Sequence, residues 1–224
     1  MKVELIDSMG SDLSVVNAAR VSFSKTSAWM SIPEAGPLKG VLEEGDEKLI
    51  RYLAKHNHWS PFGHASMQFH IKAPIFVARQ LVKHQVGLVW NEVSRRYVDS
   101  EVEFYKPWQW RGRPTDKKQG SSDVEIDINL RGSMVDYYDQ ACNKAKWTYE
   151  HLLSRGVAPE QARMVLPQSM YTEWYWSGTL MAFARVCNLR CKEDTQLETQ
   201  VIGNQIDEMA KKLFPTSWEA LRHD

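Results

Sequence analysis

The chain has 224 residues, of which 43% are hydrophobic, enough to bury a sizeable core. Its 28 Lys and Arg balance its 28 Asp and Glu, which argues against a general nucleic-acid or membrane-surface binder relying on a basic excess. Three cysteines, Cys142, Cys187 and Cys191, are too few and odd in number for a disulfide framework, so a reducing compartment is expected. The N-terminal MKVELIDSMGSDLS lacks a signal-peptide core, and no run of about 18 apolar residues occurs, so a soluble protein is expected, cytoplasmic or in a host cell's cytoplasm, without a membrane partner.

In chain order, residues 2 to 7 alternate as a short strand. Asp12 is placed to cap a helix running through Val15, Ala18 and Val21. Residues 25 to 43 mix Ser, Gly and Pro and read as a loop. A helix fits 44 to 57, with Leu49, Tyr52 and Leu53 on one face, and a turn-rich link follows over 56 to 64. Met67, Phe69 and Ile71 alternate along a half-buried strand over 66 to 72. Pro74 then opens a helix, where its missing N–H costs least, and the apolar pattern carries that helix to about Gln85. Gly87 breaks the chain before Ser94 to Tyr97. Val102 and Phe104 suggest a further short strand, and 106 to 125 reads as an exposed polar insertion. Helices are expected at about 132–154, 159–165, 176–191 and 194–213. No internal repeat appears and no linker divides residues 1–224, which gives one α/β or α+β domain with a small, antiparallel sheet and several helices.

The segment from Ala73 to Tyr97 carries the chemistry. On a helix over 75–85, Arg79 and Lys83 are four apart, as are Gln80 and His84, among Ile75, Phe76, Val77, Ala78, Leu81 and Val82. A helix this apolar should be buried, and a buried cation demands an anion. Across 79–97, four cations (Arg79, Lys83, Arg95, Arg96) face one acid (Glu92), and four less one leaves +3. A phosphate pocket follows, with guanidinium forks and the Ser94 hydroxyl as donors. The structural alternative pairs Arg79 and Arg96 with Glu92, Glu101 or Glu103.

The same segment resembles the signature of the flavin-dependent thymidylate synthases: Arg79-Gln80, His84, Asn91-Glu92, Ser94 and Arg96-Tyr97 stand in the family's frame. Upstream, Asp12-Leu13, Ala18-Ala19-Arg20-Val21-Ser22-Phe23 and Ser60-Pro61-Phe62-x-His64 extend the resemblance. Downstream, Glu160-x-x-Arg163, Val165-Leu166-Pro167, Tyr171-Thr172 and Asn188-Leu189-Arg190 do the same. The resemblance implies an α+β fold and a methyltransferase that makes thymidylate (dTMP) from deoxyuridylate (dUMP). Methylenetetrahydrofolate would give the carbon, and FAD would carry hydride from NADPH. It also implies a homotetramer with shared active sites. Deoxyuridylate contacts fall on Gln80, Lys83, Ser94, Arg95, Arg96, Arg163 and Arg190. Flavin contacts fall on Ser60, Lys83, His84, Gln85, Glu92, Thr179 and Arg185, with His58 near the flavin ring. Arg190 matches the catalytic residue that stabilises an ionised pyrimidine and so activates C5.

The chain departs from the family on the flavin side. Lys83-His84-Gln85 replaces Arg-His-Arg, and eight residues, 86 to 93, separate Gln85 from Ser94 where seven are usual. Gly63 stands for the usual Glu, and Thr179, Met181 and Arg185 for Asn and Arg. The altered triplet leaves open a same-fold enzyme that hydroxymethylates a pyrimidine nucleotide.

Other motifs read more plainly. His56-x-His58 lacks a matching third ligand, and Cys187-x-x-x-Cys191 has neither zinc nor redox spacing, so packing is expected and no metal. Cys191, beside Arg190, is the leading candidate for a nucleophile were one needed. Trp108 and Trp110 offer faces for flat ligands, whereas Trp174 and Trp176 are read as core. The basic stretch 106 to 118 interleaves aromatics with cations as single-strand binders do, although a solvated loop and no nucleic-acid partner is the simpler reading.

Overall fold

A computed structural model describes residues 1–31, 40–98, 101–115, 120–126 and 128–222. Its centre is a four-stranded antiparallel sheet in the order β1-β4-β8-β5, formed by β1 (Lys2–Met9), β4 (Ser66–Pro74), β5 (Leu88–Glu92) and β8 (Tyr171–Thr179). Alternation decides the faces. Met67, Phe69, Ile71 and Ala73 of β4 are buried, and Trp176 and Trp174 of β8 stand opposite Phe69 and Ile71 in register. The other face carries Gln68, His70 and Lys72 against Ser177, Tyr175 and Glu173, with His70 Nε2 3.2 Å from the Glu173 carboxylate. One face is thus a core and the other stays solvated.

Helices cover the apolar face. The Phe183 ring of α6 (Leu180–Arg190) meets Phe69 at 5.1 Å and Trp176 at 5.3 Å, both edge-on. The core continues into α1 (Asp12–Arg20), α2 (Glu44–Lys55), α3 (Ile75–Leu81), α7 (Leu197–Leu213) and α8 (Pro215–Leu221). A smaller cluster forms where Val102 and Met170 pack on Tyr149 and Ala162, from α4 (Ile128–Ser154) and α5 (Pro159–Ala162). Two hairpins complete the fold, β2 (Met30–Ser31) with β3 (Gly40–Val41) and β6 (Arg111–Gly112) with β7 (Ser122–Glu125). Among the described residues no helix is long and apolar enough to cross a membrane.

Several expectations change. Asp12 does not cap its own helix. Its buried carboxylate accepts from the backbone N–H of Thr216 at 3.0 Å and Ser217 at 2.9 Å, so it caps α8 from 204 residues away. On α2 the buried face is Asp46, Ile50, Leu53 and Ala54, while Tyr52 is 53% exposed. The loop expected over 25 to 43 holds the short β2–β3 hairpin; its residues 32–39 lie outside the described residues. Helix α3 stops at Leu81, and the chain turns through Gly87, at φ +78°, to lay β5 along β8. Ladder pairing therefore overrides the helical pattern that ran to Gln85. Val102 and Phe104 give only one bridge, Phe104 to Met170.

The largest change is β8. Residues 176–179, expected at the head of a helix, end the strand instead, and α6 starts only at Leu180. Thr172, Trp174 and Trp176 alternate with more open neighbours, a period of two that the following apolar run masks. Helix α8 was not anticipated. The stretch 106–125 is not wholly an exposed insertion: Arg111 is anchored to the core, whereas residues 116–119 lie outside the described residues.

Candidate active site

Two turns beside β5 carry most of the candidate residues. The turn at 82–87 holds Lys83, His84 and Gln85; the turn after β5 holds Ser94, Arg95 and Arg96. Arg79 and Lys83 are exposed in the single chain, so the expectation of buried cations fails for both. Lys83 lies beyond the end of α3 at Leu81, whereas Arg79 is inside the helix but exposed, the buried positions being Val77, Ala78 and Leu81. The acid partners foreseen for Arg79 and Arg96 are engaged elsewhere: Glu103 with Lys72 at 2.5 Å, Glu101 with Lys146 at 2.7 Å, and Glu92 with the Thr172 hydroxyl at 2.7 Å. Arg96 Nε instead donates to Ser94 Oγ at 3.1 Å, and Arg95 donates to the Glu101 carbonyl at 3.1 Å.

A cavity of about 590 Å³ opens beside this second turn. Arg95, Arg163 and Lys72 line it together with four carboxylates, those of Glu92, Glu101, Glu103 and Glu173. Lys72 is already paired with Glu103, which also holds its ammonium charged by raising its pKa. Among the described residues Arg163 is anchored by its Nε alone, to the Glu160 carbonyl at 3.4 Å, so its terminal nitrogens face the cavity.

A second cluster lies where α3 meets the end of α6. Arg190 Nε donates to His84 Nε2 at 3.0 Å, and its Nη2 donates to the Gln80 carbonyl at 3.2 Å. Burial, and then the Arg190 charge, push the His84 pKa below its usual value. A neutral His84 accepting at Nε2 carries its proton on Nδ1. Burial also lowers the Arg190 pKa, but from so high a starting point that it stays a cation. Its Nη1 makes no bond among the described residues. The Gln80 side chain is held from both sides: its amide donates to Gln196 at 2.6 Å, and its oxygen accepts from Thr199 at 3.1 Å. Gln196 donates in turn to Glu198 at 3.0 Å, and Arg111 grips both Glu198 oxygens at 2.9 Å. This string from Arg111 to Gln80 was invisible in the sequence, because its members are spread over more than 100 positions and only the paired charges across 111 and 198 hint at it.

The remaining candidates fall elsewhere. Ser60 opens onto a cavity of about 750 Å³ between α1 and α2, lined also by Tyr52, His58, Ser22 and Lys25. Arg185 lines a third cavity, of about 330 Å³, with Asn57, Trp59 and Asn188. Thr179 caps α6, its hydroxyl accepting from the Ala182 N–H at 3.2 Å. It also packs under the 82–87 turn: a Cβ on Gly87 would stand 3.2 Å from its Oγ1. Gln85 is exposed. One chain therefore gathers Gln80, His84 and Arg190 in one place and Arg95, Glu92 and Arg163 in another, with Ser60 and Arg185 each apart.

Comparison with known proteins gives one answer. Residues 4–216 match the family model described as thymidylate synthase complementing protein. A flavin-dependent thymidylate synthase of Kosmotoga olearia is 38% identical over 97% of this chain and 88% of its own. One from Thermus thermophilus is 38% identical over 97% of this chain and 74% of its own. Among solved structures, a UMP/dUMP methylase from Streptomyces cacaoi bound with 5-Br dUMP superposes with a TM-score of 0.79 at 33% identity, covering 98% of this chain and 93% of that one. With the family model spanning nearly the whole chain and the motifs in their order on this sheet and these turns, the chain belongs to the Thy1 family, that of the flavin-dependent thymidylate synthases.

Proposed function

We propose that the chain is a cytoplasmic enzyme that converts deoxyuridylate to thymidylate, with methylenetetrahydrofolate as carbon donor and NADPH as reductant. The observation that carries this reading is Arg190, a half-buried cation with one nitrogen unpaired, held by a neutral histidine and a helix-end carbonyl. A cation fixed in this way favours negative charge on a pyrimidine, and negative charge on the ring is what makes C5 nucleophilic. Because its supports are neutral, none of them cancels that charge. Gln80, clamped by Gln196 and Thr199, presents a rigid edge beside it. Arg95, Arg96, Ser94 and Arg163 supply the donors for the phosphate, with Lys83 as a further cation.

A methylene carbon is two electrons short of a methyl group, so the reaction needs a hydride source. Bound FAD supplies that hydride, drawn from NADPH. The cavity at Ser60 suits such a group: the Tyr52 and His58 rings offer faces for a flat ring system, and Ser22, Ser60 and Lys25 offer donors for sugar and phosphate. Lys83, His84, Gln85, Glu92, Thr179 and Arg185 are the further residues assigned to it. Their separation over one chain supports a complete site built between copies, in a homotetramer. The exposed apolar residues Val89, Val93, Tyr97 and Met164 are those such an assembly would cover.

Purified protein should be yellow and should release tritium from 5-tritiated deoxyuridylate when given NADPH and methylenetetrahydrofolate. Colourless protein that binds neither FAD nor deoxyuridylate would overturn the reading. A hydroxymethylated product, seen by mass, would replace it with the same-fold alternative.

A further inference from the structure

The end of α6 holds a group of side chains that the reaction does not use. Cys187 and Cys191 stand one turn apart on one face of α6, and Asp207 reaches them from α7. One potential ligand atom from each, two sulfurs and a carboxylate oxygen, lie within 4.8 Å of one another. Gly203 lets the two helices approach this closely: a Cβ there would sit 3.3 Å from the Cys191 sulfur.

We propose that Cys187, Cys191 and Asp207 form a binding site for a borderline-soft divalent cation of the Zn²⁺ class, with water in the fourth position. Donor chemistry, charge and surroundings all agree. Two thiolates and a carboxylate are a preferred donor set for such a cation. At metal–sulfur distances of about 2.3 Å, sulfurs in a tetrahedron stand about 3.7 Å apart, within side-chain reach of the present arrangement. Asp207 is held as a metal-bound carboxylate usually is: Trp218 Nε1 donates to its Oδ1 at 2.9 Å and Arg222 Nε at 2.6 Å, both on the same oxygen. Three negative ligands are balanced by a divalent cation and the Arg222 charge. The C-terminal end of α6 adds the negative pole of its dipole.

The thiols are prepared unequally. Burial pushes the Cys187 thiol up, and its one S–H is shared between the Gly203 carbonyl, 3.7 Å away, and the Cys191 sulfur. The hydrogen bond from Cys187, and then Arg222, hold the half-buried Cys191 below the usual thiol range. The cation beside Cys191 is therefore Arg222 and not its neighbour in sequence, Arg190. Cys191 is the open side of the site and the first ligand met. On binding, two sulfur–metal bonds and one Asp207 oxygen–metal bond form, the cation gives up all but one of its waters, Cys187 loses its proton and Cys191 any proton it still carries. The spacing of Cys187 and Cys191 alone pointed to packing, because the third ligand comes from another helix.

The site stands apart from the thymidylate reading and is tested without nucleotide or flavin. Reduced, chelator-treated protein is titrated with Co²⁺ in the absence of oxygen. A thiolate-to-cobalt charge-transfer band should grow to saturation at one ion per chain, disappear when Zn²⁺ is added, and be accompanied by proton release. Cys191→Ser and Asp207→Asn should each weaken binding at least tenfold, whereas Cys142→Ser should leave it unchanged. Cys191→Ser, the substitution least demanding on packing, should keep the thermal melting of the parent. Absence of the band in the parent protein, or a band of unchanged strength in Cys191→Ser, would overturn the proposal.

Discussion

Strand β8 and the turn that follows β5 lie side by side, joined by the bond from Val93 N–H to the Glu173 carbonyl at 2.9 Å. Within one chain they are in opposite states. Trp174 and Trp176 are sealed between β4, β5 and α6, and Trp90 of β5 stacks on Trp174 at 4.3 Å. A few residues away, Arg96 and Tyr97 face solvent, and Arg95 and Arg163 line an open cavity. The core is closed by packing, and the buried Trp174 and Trp176 indole N–H groups make no hydrogen bond among the described residues. The turn after β5 presents its cations to solvent, where a ligand or another copy of the chain can meet them.

Substitutions at buried and at ligand-facing groups sharpen this contrast. Among the buried groups, Glu198→Ala strands Arg111, whose side chain is only 18% exposed, and should cost about 3 kcal/mol of stability, measured by denaturant unfolding. On the ligand side, Arg190→Ala should lower kcat about 10²- to 10³-fold while unfolding stays nearly that of the parent. If Arg190→Ala instead unfolds the protein, the division into packed core and ligand-facing groups is wrong. Arg163→Ala should raise KM for deoxyuridylate about 10- to 100-fold with a smaller change in kcat, because a phosphate contact is made in ground and transition states alike.

The comparison also has a pH signature. His84 has a lowered pKa in the fold, so the unfolded chain takes up its proton first, below the ordinary histidine value of 6.5. The stability that neutral His84 contributes is present above that value and is lost as pH falls below it toward the folded pKa. Thermal melting followed from neutral to acid pH should show this loss, and His84→Gln should flatten it. A melting curve that rises with acid over this range would contradict a neutral, accepting His84. The smallest effect belongs to the altered triplet: Gln85→Arg, at an exposed position, should tighten FAD binding by no more than about fivefold in a fluorescence titration.

What the sequence disclosed follows the same line. Strands with clean alternation, such as β4, and long amphipathic helices, such as α7, are legible because each residue's neighbours in the fold are also near in sequence. The end of α3 and the start of α6 differ from the pattern because the β8 ladder decides both, and that pairing is not local. Asp12 reads as a cap, but the helix it caps is α8, 204 residues away. The site residues came from motif order. Their burial did not follow: Lys83 falls past the end of a helix shorter than the apolar pattern over 75–85 implies, and Arg79 occupies an exposed position of that helix. The string from Arg111 through Glu198 and Gln196 to Gln80 carries no local signature at all.

The division of the nucleotide candidates into a Gln80–Arg190 cluster and an Arg95–Arg163 cavity is tested most directly by complementation. Arg190→Ala and Arg163→Ala chains, each strongly impaired alone when deoxyuridylate is held below the parent KM, are co-expressed with different tags and the mixed oligomers isolated and assayed at that concentration. A site shared between copies predicts that mixed oligomers regain a substantial fraction of thymidylate formation, because some sites then draw both arginines from intact clusters. Mixed oligomers as inactive as their parents would contradict it and would place both arginines in a site built by one chain.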